Sequence, residues 1–308
     1  MRRIAWLGDK DFPPPETPFR INNQESEKKM KKTVSIPELR QAVSLLPSPL
    51  GFVPTMGYLH EGHLSLVRAA KSECASVVVS IFVNSAQFGE NEDLSSYPRD
   101  LPHDLGLLDS EGVDLVWTPT NEMMYPAGFQ TWVNVEEITR PLEGAHRPGH
   151  LRGVTTVVTK LFNAVQPQKA YFGQKDAQQA AVIRQMTRDL NFQTEIVVCP
   201  IVREPDGLAM SSRNTYLTPD KRRAATVLYR SLISAQESYH AGERDADHLR
   251  AIMTDTINSE PLARLEYVSC ADLDTLKELY GPIENGALLS MAVYIGKSRL
   301  IDNIILGE

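Results

Sequence analysis

The feature that most constrains the fold is a regular alternation, over residues 50–199, of short apolar runs with amphipathic stretches. The apolar runs are rich in β-branched residues, as buried parallel strands are, and they fall at residues 51–54, 77–83, 114–117, 169–172 and 195–199. Helical patterns separate them, at residues 60–73, 101–108, 155–165 and 177–190. Strands and helices in this order form right-handed βαβ units. The predicted fold is therefore α/β, a Rossmann-like parallel sheet with helices on both faces, in which ligands bind at the carboxyl ends of the strands.

Two changes of pattern divide the chain. Residues 1–32 are polar around the run FPPPE and have little to bury, so they are predicted to form a disordered tail, with Met30 as an alternative start. Ordered structure is expected to begin near Ser35, a helix cap followed by Glu38. A Rossmann-like domain is predicted at residues 33–201. Helical patterns at 219–240 and 245–258, with strands at 265–269, 287–294 and 300–305, predict a smaller α+β domain at residues 202–308.

Composition excludes several classes of function. The chain has 39 acidic and 32 basic residues, whereas a nucleic-acid binder usually carries a basic excess, so no nucleic-acid partner is expected. No apolar stretch approaches the ~20 residues of a membrane span, so no membrane association is expected. The three cysteines, Cys74, Cys199 and Cys270, lie far apart and form neither a disulfide framework nor a Cys-rich metal site. They are expected to be buried thiols in a reducing compartment, the cytoplasm.

The first candidate site is the segment PTMGYLHEGH at residues 54–63, between a predicted strand and a predicted helix. Unpaired N–H groups and the helix dipole favour an anion at such a helix start, and Gly62 would let a phosphate approach closely. The dipole disfavours an imidazolium ion, so neutral His60 and His63 could donate hydrogen bonds to phosphate. The alternatives are two ordinary packed histidines or a zinc site. Zinc is disfavoured because no Cys or carboxylate stands nearby at metal-ligand spacing.

Two further motifs are weaker alone. Residues 173–176 (GQKD) again follow a strand, where Lys175 is placed to meet a phosphate and Asp176 to cap a helix or hold a ribose hydroxyl. Residues 208–214 (LAMSSRN) place two hydroxyls and an arginine after the loop at 205–207, where they could close over a triphosphate. Each is also typical of an ordinary polar turn. When these two motifs follow the first in this order, however, the three together are a far more specific signal than any one alone.

Polar residues elsewhere suggest an acceptor pocket. Asn84 and Gln87 follow the strand at 77–83, and their amides suit a small hydroxy acid better than a metal ion. In the run HRPGH at residues 146–150, Arg147 could hold a carboxylate bidentately. Turn chemistry after a strand and a solvated loop are the simpler interpretations of these two segments.

Taken together, the motifs at residues 55–63, 173–176 and 210–213 resemble those of the pantoate–β-alanine ligase (pantothenate synthetase) family, within the HxGH nucleotidyltransferases. The pattern YPRD at 97–100 and the run at 147–154 are also similar, and the resemblance covers roughly residues 33–306. It implies a nucleotide- and pantoate-binding domain, a C-terminal lid domain, a homodimer, and ATP with Mg²⁺. In the implied reaction, pantoate attacks the α-phosphate of ATP and releases pyrophosphate. The amine of β-alanine then attacks the pantoyl adenylate and yields pantothenate and AMP.

The resemblance also implies roles for individual residues. His63 would lie at the reacting phosphate as the proton donor, with His60 and Lys175 as further catalytic residues. The implied ATP site consists of Met56, Gly57, Tyr58, Leu59, His60, Glu61, Gly62, His63, Gly173, Gln174, Lys175, Asp176, Val202, Met210, Ser211, Ser212 and Arg213. The implied substrate site consists of Asn84, Gln87, Tyr97, Arg147 and Gln179. The metal ligands stay open, with Asp104 as a candidate.

Three departures from the family pattern bear on this interpretation. Ser85 and Ala86 stand where Pro and Thr are frequent, Gln174 stands where some members have Glu, and Leu151 replaces the usual Phe. None removes a group that the chemistry needs. Two other functions stay open: a nucleotidyltransferase that only transfers AMP or CMP to a phosphate, and a regulatory nucleotide-binding module. The first needs a phosphate-binding acceptor pocket and the second predicts damaged motifs, and neither feature is evident.

Overall fold

A six-stranded parallel sheet forms the first part of the fold in the computed structural model, which describes residues 30–90 and 92–307. The strand order is β1-β4-β3-β2-β5-β6. The strands are Lys31–Thr33 (β1), Leu50–Thr55 (β2), Ser76–Ile81 (β3), Leu115–Trp117 (β4), Lys169–Gly173 (β5) and Glu195–Cys199 (β6). All five strand pairs are parallel, with Phe52 of β2 opposite both Val78 of β3 and Ala170 of β5. The predicted fold class is confirmed.

Helices cover both faces of this sheet, as predicted. They are Ile36–Val43 (α1), Glu61–Glu73 (α2), Leu101–Ser110 (α3), Asn121–Met124 (α4), Glu143–His146 (α5), His150–Val165 (α6) and Ala177–Asp189 (α7). Leu39 of α1, Phe162 of α6 and Ile183 of α7 share one buried cluster with the sheet. Val67 of α2 and Leu108 of α3 belong to a second cluster on the other face. Strands buried from both sides explain the continuous apolar runs in the sequence.

Ordered structure begins slightly earlier than predicted. Ser35 caps α1 as expected, in a reciprocal capping box with Glu38. However, β1 already begins at Lys31 and pairs with β4 at the edge of the sheet. Its sequence, Lys-Lys-Thr, contains no apolar residue that could signal a strand. The rest of the predicted tail, residues 1–29, lies outside the described residues.

Helix α6 starts at His150, five residues before the predicted start, because two glycines disguise its pattern. Gly149 precedes the helix with a φ of 85°, which other residues rarely adopt. Gly153 lies within the first turns, where a Cβ would come 2.2 Å from the carbonyl oxygen of Ala86. The glycine therefore allows α6 to pack directly against the backbone that follows β3.

The second part of the fold is a three-stranded antiparallel sheet covered by helices, in agreement with the predicted α+β texture. Its elements are Pro219–Ala224 (α8), Val227–His240 (α9), Ala246–Asn258 (α10), Ala263–Ala271 (β7), Ala287–Ile295 (β8) and Ser298–Leu306 (β9). One helix was predicted where α8 and α9 stand. The break lies at Thr226, whose hydroxyl and N–H both bond to the Arg223 carbonyl in a tightened turn.

The two parts are in contact. Leu142 and Leu151 of the first part share a buried cluster with Leu276 and Leu288 of the second. Arg299 of β9 also holds the buried Glu143 through both carboxylate oxygens, at 2.7 and 2.9 Å. Over the described ranges, no helix combines the length and the apolar character needed to cross a membrane.

Candidate active site

The site lies where the direction of the sheet reverses. From β2 the chain moves outward through β3 and β4, and then returns to the opposite side of β2 with β5. Loops that leave neighbouring strands in opposite directions open a crevice between them, which is where such sheets bind ligands. The first motif follows Thr55 at the end of β2, and the second follows Gly173 at the end of β5.

A cleft of about 230 Å³ occupies this crevice. The predicted residues that line it are Met56, His60, Gly62, His63, Asn84, Gln87, Tyr97, Arg147, Gly173, Lys175, Asp176, Gln179, Val202, Met210, Ser211, Ser212 and Arg213. A second cleft of about 730 Å³ shares Arg147, Lys175 and Arg213 with the first and opens towards the C-terminal sheet. Residues from all three motifs thus meet around one space, although they lie far apart in the sequence.

The two histidines of the first motif are held by the start of α2. Nδ1 of His60 accepts the N–H of Gly62 at 3.2 Å, and Nδ1 of His63 accepts the N–H of His60 at 3.3 Å. An Nδ1 atom that accepts a hydrogen bond carries no proton, so the remaining proton of each neutral ring is on Nε2. Each histidine therefore has an Nε2–H group to donate.

Both histidines are neutral at physiological pH. Burial, and then the nearby Lys175 ammonium, lower the pKa of His60 to about 4. Burial lowers the pKa of His63 to about 3, with His60 and Lys175 as further causes. The predicted neutral state is thus supported, with burial as the main cause.

The loop between β2 and α2 has an anchor that the sequence did not reveal. Asp104 of α3 is almost fully buried, and its two oxygens accept the N–H groups of Tyr58 and Leu59 at 2.8 and 2.7 Å. These bonds hold Tyr58 in the left-handed region, at a φ of 52°. The suggestion that Asp104 binds a metal ion stays a prediction; in this structure its carboxylate holds the loop.

Gly62 also has a packing role that the sequence did not predict. A Cβ at this position would lie 2.9 Å from Cε1 of His60. The glycine therefore makes room for the His60 ring, whose centroid is 4.1 Å from that of His63.

A polar network fixes Gln87 after β3. Asn84 is buried, and its Nδ2 donates to Oε1 of Gln87 at 3.0 Å and to the carbonyl of Gly153 at 3.2 Å. Its Oδ1 accepts the hydroxyl of Tyr125 at 2.7 Å. Asn84 thus uses its polar atoms within the protein and orients Gln87, whose Nε2 contacts Sδ of Met56 at 3.2 Å.

His150 connects this network to Arg147. Its Nδ1 lies 2.9 Å from the carbonyl oxygen of Gln87, and its Nε2 lies 3.0 Å from Nη1 of Arg147. A carbonyl only accepts and a guanidinium only donates, so the proton of His150 is on Nδ1. Burial, followed by Arg147, lowers the pKa of His150 to about 4.

The two arginines of the site are paired with adjacent acidic residues. Arg147 donates to both oxygens of Glu92, at 2.7 and 2.6 Å. Arg213 donates to both oxygens of Asp93, each at 2.9 Å. Burial alone would raise the pKa of Glu92 and Asp93, but the arginines hold it below the usual value. Arg147 was expected to bind a carboxylate bidentately. In the structure it binds the carboxylate of Glu92, a residue of the chain itself.

The other residues of the second and third motifs complete the wall. Nζ of Lys175 lies 3.7 Å from Oδ2 of Asp176. The hydroxyl of Ser212 donates to the carbonyl of Tyr58 at 3.3 Å, which ties the third motif to the first. Tyr97 is buried, which raises its pKa, and its ring lies 5.8 Å from the Arg213 guanidinium.

Five predicted ATP-site residues do not line the cleft: Gly57, Tyr58, Leu59, Glu61 and Gln174. The first three form the loop that Asp104 holds. Glu61 makes an exposed ion pair with Arg68, and Gln174 bonds to Asn303. In the part of the chain that the structure describes, no three His, Cys, Asp or Glu side chains gather as a metal site would require.

The parallel sheet, its switch point and the neutral histidine pair at a helix start are those of an HxGH nucleotidyltransferase. Comparison with known proteins narrows this class. The family model described as Pantoate-beta-alanine ligase matches residues 28–305. The chain belongs to the pantoate–β-alanine ligase family and is thus a carbon–nitrogen ligase.

Individual relatives agree with this assignment. The chain is 62% identical to a pantothenate synthetase of Roseiflexus sp. (strain RS-1) over 277 residues, which cover 90% of this chain and 99% of the relative. A crystal structure of pantothenate synthetase from Thermus thermophilus matches with a TM-score of 0.85 and 47% identity, over 89% of this chain and 99% of that one. A pantoate-β-alanine ligase from Francisella tularensis, complexed with β-γ ATP and β-alanine, matches with a TM-score of 0.75 and 37% identity, over 90% and 97% of the two chains.

Proposed function

We propose that this chain condenses pantoate with β-alanine at the expense of ATP, through a pantoyl adenylate, to give pantothenate, AMP and pyrophosphate. The observation that carries the proposal is one cleft in which neutral His60 and His63 meet Lys175. A carboxylate and a triphosphate repel each other, so a site that joins them must supply compensating charge and hydrogen-bond donors.

In the first step, a carboxylate oxygen of pantoate forms a bond to the α-phosphorus of ATP. The bond between this phosphorus and the bridging oxygen breaks, and pyrophosphate leaves with the electron pair. The Nε2–H groups of His63 and His60 would donate to the reacting phosphate, and Lys175 and Arg213 would neutralise the leaving group. Met56, Gly62, Gly173, Asp176, Val202 and the hydroxyls of Ser211 and Ser212 would complete the ATP site.

In the second step, the amine of β-alanine forms a bond to the acyl carbon, AMP leaves with the electron pair of the broken C–O bond, and the nitrogen loses a proton. Gln87 and Gln179 would hold pantoate, with Tyr97 and Arg147 on the acceptor side and Asn84 orienting Gln87. The C-terminal residues 202–308 would act as a lid that keeps water from the adenylate.

Mg²⁺ fits this site as a partner of the triphosphate. It usually keeps several waters and binds through substrate phosphates with one or two carboxylates. Within the cleft, the carboxylate of Asp176 could contribute one ligand to an ion that arrives with ATP. The ion would neutralise phosphate charge.

We further propose that the protein is a homodimer in the cytoplasm. Analytical ultracentrifugation would test the dimer.

Pyrophosphate release from Mg-ATP, measured with D-pantoate in the presence and absence of β-alanine, tests the proposal. One equivalent of pyrophosphate without β-alanine, and turnover with it, is the expected result. Release with a phosphate ester but not with pantoate would instead favour a simple nucleotidyltransferase. Absence of release with any acid would favour the regulatory module.

A further inference from the structure

The Lys175 loop is held by a residue of the C-terminal sheet. Asn303 lies in β9 and is 3% exposed. Its Nδ2 donates to the carbonyl oxygens of Gln174 and Lys175, at 3.0 and 2.9 Å. Its Oδ1 accepts Nε2 of Gln174 at 3.1 Å. One amide thus makes three hydrogen bonds to the two middle residues of the second motif.

The residue before it holds the third motif. Asp302 is buried and accepts two hydrogen bonds from Arg203, at 2.6 and 2.9 Å. Arg203 belongs to a hairpin in which the N–H of Met210 bonds to the carbonyl of Val202 at 3.0 Å, and it also donates to the carbonyl of Gly207. The hairpin leads directly into residues 210–213. Of these neighbouring residues of β9, Asn303 thus holds the backbone of the second motif directly, and Asp302 supports the hairpin before the third motif through Arg203.

A lysine needs such support more than a rigid side chain does. Its ammonium is at the end of a flexible four-carbon stem, so its position depends on a fixed backbone. Segment 174–176 is a single 3₁₀ turn, and the carbonyls of Gln174 and Lys175 accept hydrogen bonds from outside it. Asn303 supplies these donors from the second part of the fold.

We infer that Asn303 is a positioning residue for Lys175, and that adenylate formation depends on this contact between β9 and the loop after β5. The inference rests on the proposed function, in which Lys175 meets the phosphates of ATP. Displacing a catalytic group by ~1 Å can cost about 10²-fold in rate. Asn303 itself contacts neither substrate nor phosphate in this scheme.

The test is a double-mutant cycle in which adenylate formation is measured as isotope exchange between pyrophosphate and ATP in the presence of pantoate. Asn303→Ala should lower kcat at least about 10-fold, with a smaller change in KM for ATP. In a Lys175→Ala background the same substitution should change the rate less than about twofold, because the ammonium that it positions is already absent. Asn303→Asp, which keeps the size of the side chain and removes both donated bonds, should behave like Asn303→Ala.

Ser290→Ala is the matched control. Ser290 faces Asn303 across the β8–β9 pair, is buried, and its hydroxyl has no hydrogen-bond partner within the described part of the chain. This variant should keep the unsubstituted rate, and circular dichroism melts should verify that all variants are folded.

Three results would overturn the inference. They are an unchanged kcat for Asn303→Ala, an equal loss in both backgrounds, and a loss in Ser290→Ala as large as that in Asn303→Ala. If the unsubstituted chain shows no exchange with pantoate, the proposed function fails first and the inference fails with it. An active unsubstituted chain with an unaffected Asn303→Ala variant refutes the inference alone.

Discussion

The packing of Gly153 makes a sharp prediction, because adding one methyl group should harm catalysis more than stability. A Cβ at residue 153 would lie 2.2 Å from the carbonyl oxygen of Ala86 and 2.7 Å from Cα of Gln87. Ordinary contacts require over ~3 Å, so the turn that follows β3 must retreat by roughly 1 Å. This turn carries Asn84 and Gln87, and Asn84 itself bonds to the Gly153 carbonyl.

Two opposing terms determine the stability of Gly153→Ala. Alanine is better than glycine inside a helix by about 1 kcal/mol. Overpacking a core site costs about 1–3 kcal/mol, so the net loss of unfolding free energy should be at most about 2 kcal/mol. The displaced turn, by contrast, should lower kcat/KM for pantoate by about 10²-fold, since errors of ~1 Å in a site cost that much.

The assay is pyrophosphate release at saturating ATP over a range of pantoate concentrations, with calorimetric melts of the same samples. Gly106→Ala in α3 is the matched control, since a Cβ there meets nothing within 4 Å. It should keep full activity and gain about 0.5–1 kcal/mol of stability. If Gly153→Ala keeps the unsubstituted kcat/KM for pantoate, the assumed link between this packing contact and Gln87 is refuted.

Four further predictions concern ionisable side chains. His63→Ala should abolish adenylate formation while its melting temperature stays close to that of an exposed control, His240→Ala; loss of the fold would count against the assignment. Since the pKa of His60 is about 4 and that of His63 about 3, protonation of these rings should lower kcat only as the pH falls towards 4. A loss of kcat centred near pH 6.5 in the unsubstituted chain would contradict this. The pKa of His150 is lowered from 6.5 to about 4, so the unfolded chain binds more protons than the folded chain between these pH values. The free energy of unfolding should therefore decline as the pH falls through this window, by up to about 3 kcal/mol for this residue. His150→Gln should flatten the decline in calorimetric melts, and an unchanged slope would contradict the argument. Asp93→Asn removes the partner of Arg213 and should lower KM for ATP severalfold in steady-state assays, whereas the exposed control Asp109→Asn should not, and an unchanged KM in Asp93→Asn would show that the ion pair does not compete with ATP.

Local patterns were sufficient to predict most of the fold. Apolar runs bounded by turns identified the strands β2 to β6. Both faces of the inner strands are buried, and the half-buried edge strand β6 is apolar after Glu195. The strand β1 had no such signal, since its edge position and backbone pairing with β4 suffice for its structure. The early start of α6 was hidden by Gly149 and Gly153, which favour a loop locally but are required by packing.

In the site, too, residues with a local sequence signal were predicted, and residues that act through distant contacts were not. The motifs that contain His60, His63 and Lys175 each follow the end of a strand, so the α/β pattern alone indicated that they converge. Their partners lie far away in the sequence and have no local signature. Asp104 is 45 residues from Leu59, and Asn303 is 128 residues from Lys175. Sequence reasoning could name Asp104 only as a candidate metal ligand, and nothing in the β9 sequence indicated a contact with the second motif.

The pairing of Arg147 with Glu92 and of Arg213 with Asp93 has a consequence for anion selectivity. A guanidinium that is already paired with a carboxylate binds only a ligand that can displace this carboxylate. A weakly binding monovalent anion such as chloride should therefore have little affinity for these arginines. A polyphosphate that displaces Asp93 exchanges one ion pair for another. Added salt screens the ion pair that is lost and the one that is formed alike. The affinity for ATP should therefore depend less on ionic strength than it would at a site of unpaired cations.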